Sequence, residues 1–307
     1  MKGVWFHETR PQFLVLSLVL VLHGAGLAFW QGTPAFSWLR FALAMLGLVL
    51  MHAAVNVLND WHDWAKTGID KETPRTPFSG GSGILPAGGM DARSTLREGA
   101  ICLATGCVIG LYLVWDTYRV FGRVWPLLLI GLAGALAVVA YTPFLTRIGL
   151  GEVFAGIGLG NLPVLGTYYV LTGRLDWVAV WSGIPATLLT YNLLLLNEFP
   201  DAAADAKGGR RHMVARLTKR GARWLYAAVE SAAYVVILAG VMLRQFTPWA
   251  LLGLIAAPFA LKAIRTALHE YDNLPGLLPA MGANVMAVLS TNALLAVGYL
   301  VARLVAT

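Results

Sequence analysis

Nine apolar stretches of membrane-spanning length follow one another along this chain and leave only short polar connections. A run of about 20 apolar residues crosses the hydrocarbon core of a bilayer as one helix. We place the stretches near residues 12–30, 38–58, 98–115, 124–142, 151–172, 177–197, 222–243, 248–266 and 280–303. With 58% hydrophobic and 13% charged residues, the chain lacks the polar surface of a soluble protein. We therefore predict an all-α, polytopic membrane protein in which residues 1–307 form a single domain.

Basic residues are distributed unequally between the two ends of these predicted spans. If the N-terminus faces the cytoplasm, 17 of the 23 Lys and Arg residues fall on the cytoplasmic side, as the positive-inside rule requires. This topology accounts for the net charge of +7 without a nucleic-acid partner, because the basic residues lie in short connections. We expect an integral protein of the cell inner or plasma membrane whose N-terminus and two long loops, near 60–97 and 198–221, are cytoplasmic.

The first long loop carries a cluster of amide and acidic residues where it leaves the second span. Asn56, either Asn59 or Asp60, and Asp63 fall along one side of a helix end, since residues three and four apart are neighbours on a helix. We expect Gly68 to break this helix and to let Asp70 fold back toward the cluster.

The second long loop carries Asp201 and Asp205, which are four residues apart. Like charges at this spacing destabilise a helix, so the pair favours a bound cation. Clustered carboxylates are oxygen ligands for Mg²⁺, which commonly also takes phosphate oxygens from a substrate. Basic residues flank both clusters and are suited to neutralise the remaining charge of a diphosphate. They are Lys66 and Arg75 in the first loop, and Lys207, Arg210 and Arg211 in the second.

These motifs resemble those of a known family. Asn59-Asp60-x-x-Asp63 with Asp70, and then Asp201-x-x-x-Asp205, resembles the paired aspartate motifs of the UbiA superfamily of intramembrane prenyltransferases. The stretches 141–152 and 164–173 are similar to the branch that prenylates 1,4-dihydroxy-2-naphthoate in menaquinone biosynthesis. The segment 209–217 is similar to the pattern that follows the second aspartate motif.

The resemblance implies a helical bundle around a central cavity with a cytoplasmic cap. It also implies a Mg²⁺-dependent enzyme that transfers a polyprenyl group from its diphosphate to a small aromatic or lipid acceptor within the membrane lipid. The implied metal ligands are Asn59, Asp63, Asp70, Asp201 and Asp205, and the implied catalytic residues are Asn59, Asp63, Asp201 and Asp205. Substrate binding is expected of Asn56, Lys66, Arg75, Tyr141, Glu152, Asn197, Lys207, Arg210 and Arg211.

The chain also departs from the family pattern at the two motifs. Six residues separate Asp63 from Asp70, where five are expected. Asn197-Glu198-Phe-Pro200-Asp201 stands where Asn-Asn-x-Arg-Asp is usual, and His212 replaces a threonine. The loss of the usual arginine and the gain of Glu198 lie beside the second motif, and they bear on the acceptor more than on the chemistry of the diphosphate.

Several alternative functions remain open from the sequence. The acceptor is expected to be 1,4-dihydroxy-2-naphthoate, but 4-hydroxybenzoate, a tetrapyrrole or a glycerol lipid would use the same diphosphate site, and a terpene cyclase would use no acceptor. A secondary transporter is the alternative from another class. A transporter would place its acidic residues near the membrane midplane, whereas here they cluster at the ends of spans.

Overall fold

Every apolar stretch predicted to cross the membrane is helical in the structure. The computed structural model describes residues 3–33 and 36–306. Within these two ranges, nine helical spans are long and apolar enough to cross a membrane, and no strand occurs. The spans are Pro11–Trp30, Trp38–Thr67, Ala92–Phe121, Trp125–Leu145, Gly151–Thr172, Trp177–Lys207, Met213–Met242, Pro248–Glu270 and Leu274–Val305. The prediction of an all-α polytopic protein is confirmed.

The α-helices are numbered in chain order, and short π-helical or 3₁₀-helical segments form part of several spans. The helices are α1 Val4–Glu8, α2 Pro11–Trp30, α3 Trp38–His62, α4 Ala92–Phe121, α5 Trp125–Ala140, α6 Gly151–Gly156, α7 Leu162–Thr172, α8 Trp177–Lys207, α9 Met213–Met242, α10 Ala257–Glu270 and α11 Leu274–Val305. The π-helical turns are Asp63–Thr67, Tyr141–Leu145 and Ile157–Asn161, and the 3₁₀ turns are Ile69–Lys71 and Pro248–Ala256.

Side chains that precede two of the helices fix where those helices begin. The Ser37 hydroxyl accepts the backbone N–H of Arg40 at the start of α3. The Asp91 carboxylate accepts the backbone N–H groups of Arg93 and Ser94 at 2.9 and 3.0 Å at the start of α4. Such caps satisfy donors that have no partner inside the first helical turn.

The expectation that residues 198–221 form a loop is wrong. Helix α8 continues to Lys207 and α9 begins at Met213, so only residues 208–212 connect them. Asp201 and Asp205 therefore lie on the last turns of a helix. The predicted span ended at residue 197 because hydropathy measures only how favourably residues transfer into lipid. The Ala-rich segment 202–206 has a high helix propensity, so the helix continues although the segment is more polar.

Helix α2 packs closely against α7 and α11 because two of its residues have no side chain. A Cβ atom added at Gly24 would lie 2.6 Å from the carbonyl oxygen of Val164 in α7. A Cβ at Gly26 would lie 2.7 Å from the carbonyl oxygen of Ala296 in α11. Small residues at such positions let membrane helices approach one another.

A buried hydrogen-bond network joins the same part of the bundle. The imidazole of His23 on α2 lies 3.0 Å from Asn292 on α11 and 2.8 Å from Ser182 on α8. The Ser182 hydroxyl in turn lies 2.8 Å from the hydroxyl of Tyr299. Both imidazole nitrogens have partners, as polar groups away from water require, so we assign His23 to the scaffold.

Candidate active site

A cavity of about 640 Å³ lies between α2, α3, α4, α5, α7 and α8. Its walls along α4, α5 and α7 are mostly apolar, and its charged residues lie at the end formed by the acidic motifs. We call that part the polar end. Of the residues predicted from the sequence, the structure brings to the cavity wall Asn56, Asn59, Asp63, Asp70, Tyr141, Asn197, Asp201, Asp205 and Arg210.

The first motif is built on the last turn of α3 and the π-helical turn that follows. The Asn59 amide donates to the Asp63 carboxylate at 3.2 Å. The hydroxyl of Thr142, on the next π-helical turn, donates to the Asn59 carbonyl at 3.0 Å. These contacts hold the Asp63 carboxylate toward the cavity, so Asn59 and Asp63 act as one polar unit.

Asp70 folds back as the sequence predicted. Gly68 adopts the left-handed conformation, with φ of 70°, and the chain reverses into the short turn Ile69–Lys71. The Arg75 guanidinium donates to the Asp70 carboxylate at 2.8 Å. Gly81 crosses directly above this carboxylate: an added Cβ would lie 3.2 Å from Asp70 and 3.3 Å from Asp60. A residue larger than glycine would crowd these carboxylates and would be strained at the Gly81 φ of 78°.

The second motif meets the first through the guanidinium of Arg210. Its Nη2 donates to both carboxylate oxygens of Asp63, at 2.5 and 2.7 Å, and its Nη1 donates to Asp205 at 2.8 Å. Arg210 and Asp63 are 147 positions apart in the chain. One cation therefore contacts both acidic motifs, and the two motifs form one site.

Burial and neighbouring charges shift two pKa values at this end, outside the membrane spans. Burial alone would lower the pKa of Arg210, but the carboxylates of Asp63 and Asp205 raise it above its ordinary value. The pKa of Asp70 is raised to about 6 by burial and by the nearby Asp60, while Arg75 opposes the shift. The polar end thus holds more negative charge than its cations neutralise, and Arg210 stays positive.

The N-terminal segment closes over the first motif, which the sequence reasoning missed. The Arg10 guanidinium pairs with Asp60 and lines the cavity. The Glu8 carboxylate accepts the Ser82 hydroxyl at 2.6 Å, and the Thr9 carbonyl accepts the Asn56 amide at 3.0 Å. The sequence offered one indication, because Arg10 directly precedes the first predicted span on the side that holds most of the Lys and Arg residues. Its partner, 50 positions away, could not be identified from spacing.

Four of the residues predicted to bind substrate lie outside the cavity lining in the described part of the chain. Arg75 acts through Asp70, as given above. Lys66 is exposed and lies over the Trp61 ring at 5.5 Å, and Lys207 pairs with the exposed Glu72. Arg211 is exposed and donates its backbone N–H to Thr146 at 2.9 Å. A direct role in substrate binding stays a prediction for these four.

Glu152 is also displaced from the cavity wall, behind the second motif. It is fully buried at the start of α6, and its Oε1 accepts the backbone N–H of Met213. This contact joins α6 to the first turn of α9. A substrate role for Glu152 stays a prediction.

The sequence profile of the UbiA prenyltransferase family matches residues 17–275. The chain belongs to the UbiA prenyltransferase family. The match includes both acidic motifs, the cavity-lining helices and the connection that carries Arg210, so it covers the site described above.

Two similar bacterial members of the UbiA family carry the same name. The 1,4-dihydroxy-2-naphthoate octaprenyltransferase of Escherichia coli (strain K12) is 27% identical over 298 residues, covering 96% of this chain and 94% of that protein. The 1,4-dihydroxy-2-naphthoate octaprenyltransferase of Bacillus subtilis (strain 168) is 26% identical over 275 residues, covering 86% and 82%. These identities extend over more than four fifths of this chain and of each relative.

A solved UbiA structure has the same fold. The UbiA homolog from Archaeoglobus fulgidus bound to GPP and Mg²⁺ superposes with a TM-score of 0.61 at 13% sequence identity. The alignment covers 95% of this chain and 99% of that one. It establishes the shared UbiA fold for this chain.

The residues at the polar end have the chemistry that Mg²⁺ requires. Asp63, Asp70, Asp201 and Asp205 all present carboxylate oxygens to one end of the cavity, and hard oxygen ligands are the ones that Mg²⁺ prefers. The Asp201 Oδ1 atom is buried without a hydrogen-bond partner. A buried carboxylate oxygen left without a partner is costly, so the donor set fits a bound cation.

The buried Glu8 carboxyl makes the attachment of the N-terminal segment depend on pH. Burial, and next the charge of Asp60, raise its pKa from 4.5 to about 7, against opposing contributions from Ser82 and Arg10. The folded protein therefore holds this proton more tightly than the unfolded chain does. Protonated Glu8 therefore stabilises the folded protein fully below pH 4.5, and this stabilisation is lost as the pH rises through about 7.

We predict that Glu8→Gln will flatten the pH dependence of stability between pH 5 and pH 8. Across this interval the free energy of unfolding of the wild type should fall by up to about 3 kcal/mol more than that of the variant. Solvent screening reduces this difference. Melting temperatures of both proteins at each pH in the same detergent measure the effect. Glu72→Gln, at an exposed glutamate on the same side, is the control and should keep the wild-type slope. Parallel slopes for wild type and Glu8→Gln would refute the prediction.

Proposed function

We propose that this protein transfers a polyprenyl group from its diphosphate to an aromatic acceptor inside the membrane. The observation that carries the proposal is the bridge made by Arg210 between Asp63 and Asp205 at one end of an otherwise apolar cavity. A lipid diphosphate matches this cavity, because its charged diphosphate lies at one end and the rest of the molecule is a long apolar chain. The proposed orientation places the diphosphate at the polar end and the chain along α3, α4 and α5.

The length of the cavity supports a long prenyl chain. Its lining extends along α3 from Asp63 to Leu43, which corresponds to about 30 Å at the rise of an α-helix. That is about the thickness of the hydrocarbon core of a bilayer. Both relatives described above are named as octaprenyltransferases, and a chain of that length is the donor that we propose here.

In the proposed mechanism, Asp63, Asp201 and Asp205 would hold Mg²⁺, with Asn59 and Asp70 as supporting ligands. The bound ions would neutralise negative charge on the departing diphosphate. Arg210 pairs with carboxylates in the structure, and we propose that it turns to the diphosphate oxygens when the carboxylates hold metal. Arg75 orients Asp70 through the contact at 2.8 Å.

The apolar wall has a second role in the proposed reaction. Breaking the bond between the allylic carbon and the diphosphate leaves a carbocation that water would quench. Helices α4, α5 and α7 line the cavity with aliphatic residues and exclude water from that carbon. Tyr141 lines the cavity beside the polar end, and we propose that its electron-rich ring stabilises the cation until the acceptor attacks it.

We propose 1,4-dihydroxy-2-naphthoate as the acceptor, which places the reaction in menaquinone biosynthesis. Support comes from the names of both bacterial relatives and from their near full-length similarity. The transporter alternative is disfavoured because the cavity-lining carboxylates all lie at one end of the bundle rather than near its middle. We further propose that this end, with the N-terminal segment, faces the cytoplasm, as the excess of basic residues on that side favours.

We predict that Asp63→Asn and Asp201→Asn will each abolish turnover without unfolding the protein. Loss of one group that stabilises the departing charge should cost at least about a hundredfold in rate, or about 2.7 kcal/mol of activation free energy. The double variant should be little slower than either single variant, because residues that act as a unit are strongly non-additive. Rates of diphosphate release across a Mg²⁺ titration provide the measurement.

The matched control is Asp272→Asn, which alters an exposed aspartate that pairs with Lys219 away from the cavity. It should keep wild-type rates. Near-normal activity of either single variant at ordinary Mg²⁺ concentrations, or two modest losses that add in the double variant, would show that the motifs do not act as one site.

For the acceptor, we predict that the purified protein will prenylate 1,4-dihydroxy-2-naphthoate in preference to 4-hydroxybenzoate. Labelled polyprenyl diphosphate is supplied with each acceptor in turn, and labelled product and released diphosphate are both quantified. Transfer to 4-hydroxybenzoate or to a glycerol phosphate, with none to the naphthoate, would overturn this acceptor and leave prenyl transfer itself supported. Diphosphate release without any transferred product would favour a cyclase.

For the orientation, we predict that a cysteine at position 87 will be labelled only from the cytoplasmic side. Ala87 is exposed in the loop that covers the first motif, and Leu175 is exposed at the opposite end of the bundle. Ala87→Cys and Leu175→Cys are compared in a background in which Cys102 and Cys107 are alanine. A membrane-impermeant thiol reagent added to intact cells should label position 175 and not position 87. The reverse pattern would invert the topology.

A further inference from the structure

Glu152, Glu198 and His212 form a buried group directly behind the second acidic motif. We call these three residues the inner cluster. Glu152 lies at the start of α6, Glu198 lies on α8, and His212 caps the start of α9. All three are buried, and one potential ligand atom from each lies within 4.8 Å of the others. Three helices that are separate in the chain therefore place metal-binding atoms around one point.

Two carboxylate oxygens of the inner cluster are buried without a hydrogen-bond partner, and they are Glu152 Oε2 and Glu198 Oε2. The Nδ1 atom of His212 lies 3.6 Å from this oxygen of Glu198, and its Nε2 atom lies 3.2 Å from Asp205. Glu152 Oε1 accepts the Met213 N–H. Buried polar atoms are rarely left unsatisfied, and each such atom requires an explanation. An absent ligand beside the two carboxylates explains both.

The charges around the cluster indicate that this ligand is a cation. Two carboxylates are buried here within reach of each other, and Asp205 lies a further 3.2 Å from the His212 imidazole. The nearby Arg210 guanidinium is already occupied by Asp63 and Asp205. Two buried carboxylates without a compensating positive charge would be strongly destabilising.

We propose that the inner cluster binds a transition-metal dication of the Zn²⁺ or Mn²⁺ type, distinct from the Mg²⁺ of the diphosphate site. Imidazole is a ligand for transition metals, whereas Mg²⁺ binds mainly carboxylates, carbonyls and water. Imidazole and carboxylate groups are both ligands of Zn²⁺, and a site with three protein ligands keeps a fourth position open. The second imidazole nitrogen of a bound histidine normally donates its N–H to a carboxylate or carbonyl oxygen. His212 would bind the ion through Nδ1, because its Nε2 lies 3.2 Å from the Asp205 carboxylate.

The proposed ion has two consequences for the protein. It joins α6, α8 and α9, whose relative positions place Asp205 and Arg210 at the polar end. It also supplies positive charge behind Asp205, on the side away from the cavity. Because Glu198 lines the cavity as well, the ion would border the space next to the second motif.

The first test measures metal retention by the purified protein. The protein in detergent is incubated with Zn²⁺ or Mn²⁺ in the presence of excess Mg²⁺, desalted, and analysed for metal by mass spectrometry. We expect about one transition-metal ion per chain to be retained. No retention of either ion by the folded wild type would overturn the proposal whatever the variants do.

The second test uses the two residues of the cluster that depart from the family pattern. Glu198→Asn and His212→Thr restore that pattern and are conservative enough to fold, which is checked by monodisperse elution in detergent. Each should weaken retention of the transition metal at least tenfold and abolish the rise in melting temperature that the metal causes in the wild type. Unchanged retention in both variants would overturn the proposal.

Two controls separate the inner cluster from nonspecific binding and from the diphosphate site. Glu230→Gln alters another fully buried membrane glutamate, which bonds to Asn192, and should retain the metal. Asp63→Asn should also retain it, although the proposed function predicts that this variant is inactive. Loss of the transition metal in Asp63→Asn would show that one merged site binds all the cations, which contradicts a separate inner site.

Discussion

The guanidinium of Arg210 is the contact on which the arrangement of the polar end depends. It lies on the five-residue connection between α8 and α9 and holds carboxylates from both acidic motifs. In a partly dehydrated site, removal of one partner from such a group leaves an uncompensated charge, which costs far more than the intact pair contributes. The bridge therefore fixes the ends of α3 and α8 relative to each other. The Glu152 contact to Met213 fixes the start of α9 in the same region. The cavity acquires a polar end because these contacts gather carboxylates that would otherwise repel one another.

Irregular backbone occurs where the bundle must direct side chains into that end. Regular α3 ends at His62, and the π-helical turn Asp63–Thr67 turns the Asp63 carboxylate toward Arg210. A second π-helical turn, Tyr141–Leu145, presents Tyr141 to the cavity and Thr142 to Asn59. Such turns are rare within helices and are common at functional sites. In a membrane they are tolerated where protein or a cavity, rather than lipid, surrounds the backbone. Helices α2 and α11 contain no π-helical turn, and they pack together through small residues and buried hydrogen bonds.

The sequence was sufficient for the spans and for most of the residues at the polar end. Hydropathy identifies membrane helices because the cost of burying a polar residue in lipid is large. Helix geometry and one glycine predict that Asn59, Asp63 and Asp70 lie close together.

Three features could not be predicted from local sequence patterns. The continuation of α8 through Asp205 depends on helix propensity, which hydropathy ignores. The pairing of Arg10 with Asp60 joins segments 50 positions apart. The inner cluster brings together residues from three helices, so no local pattern contains it. Lys66 and Lys207 were predicted to bind substrate because they are close to the acidic motifs in the sequence. In the structure their side chains instead contact Trp61 and Glu72, respectively.

The carboxylates at the polar end outnumber the basic residues that pair with them, which suits this end to binding cations from outside the chain. Asp60 and Asp70 have arginine partners in Arg10 and Arg75, whereas Asp63 and Asp205 share a single arginine, and Asp201 retains a buried oxygen without a partner. Glu152 and Glu198 add two more buried carboxylates with unpaired oxygens. Internal pairing of all these groups would give a more stable resting protein, but it would leave no ligand free for a metal or a diphosphate. Under the proposed function, the polar end would bind metal ions and a diphosphate reversibly, and incomplete neutralisation of its carboxylates allows this. The close contacts of α2 and its buried hydrogen bonds, away from the site, supply packing that can offset this cost.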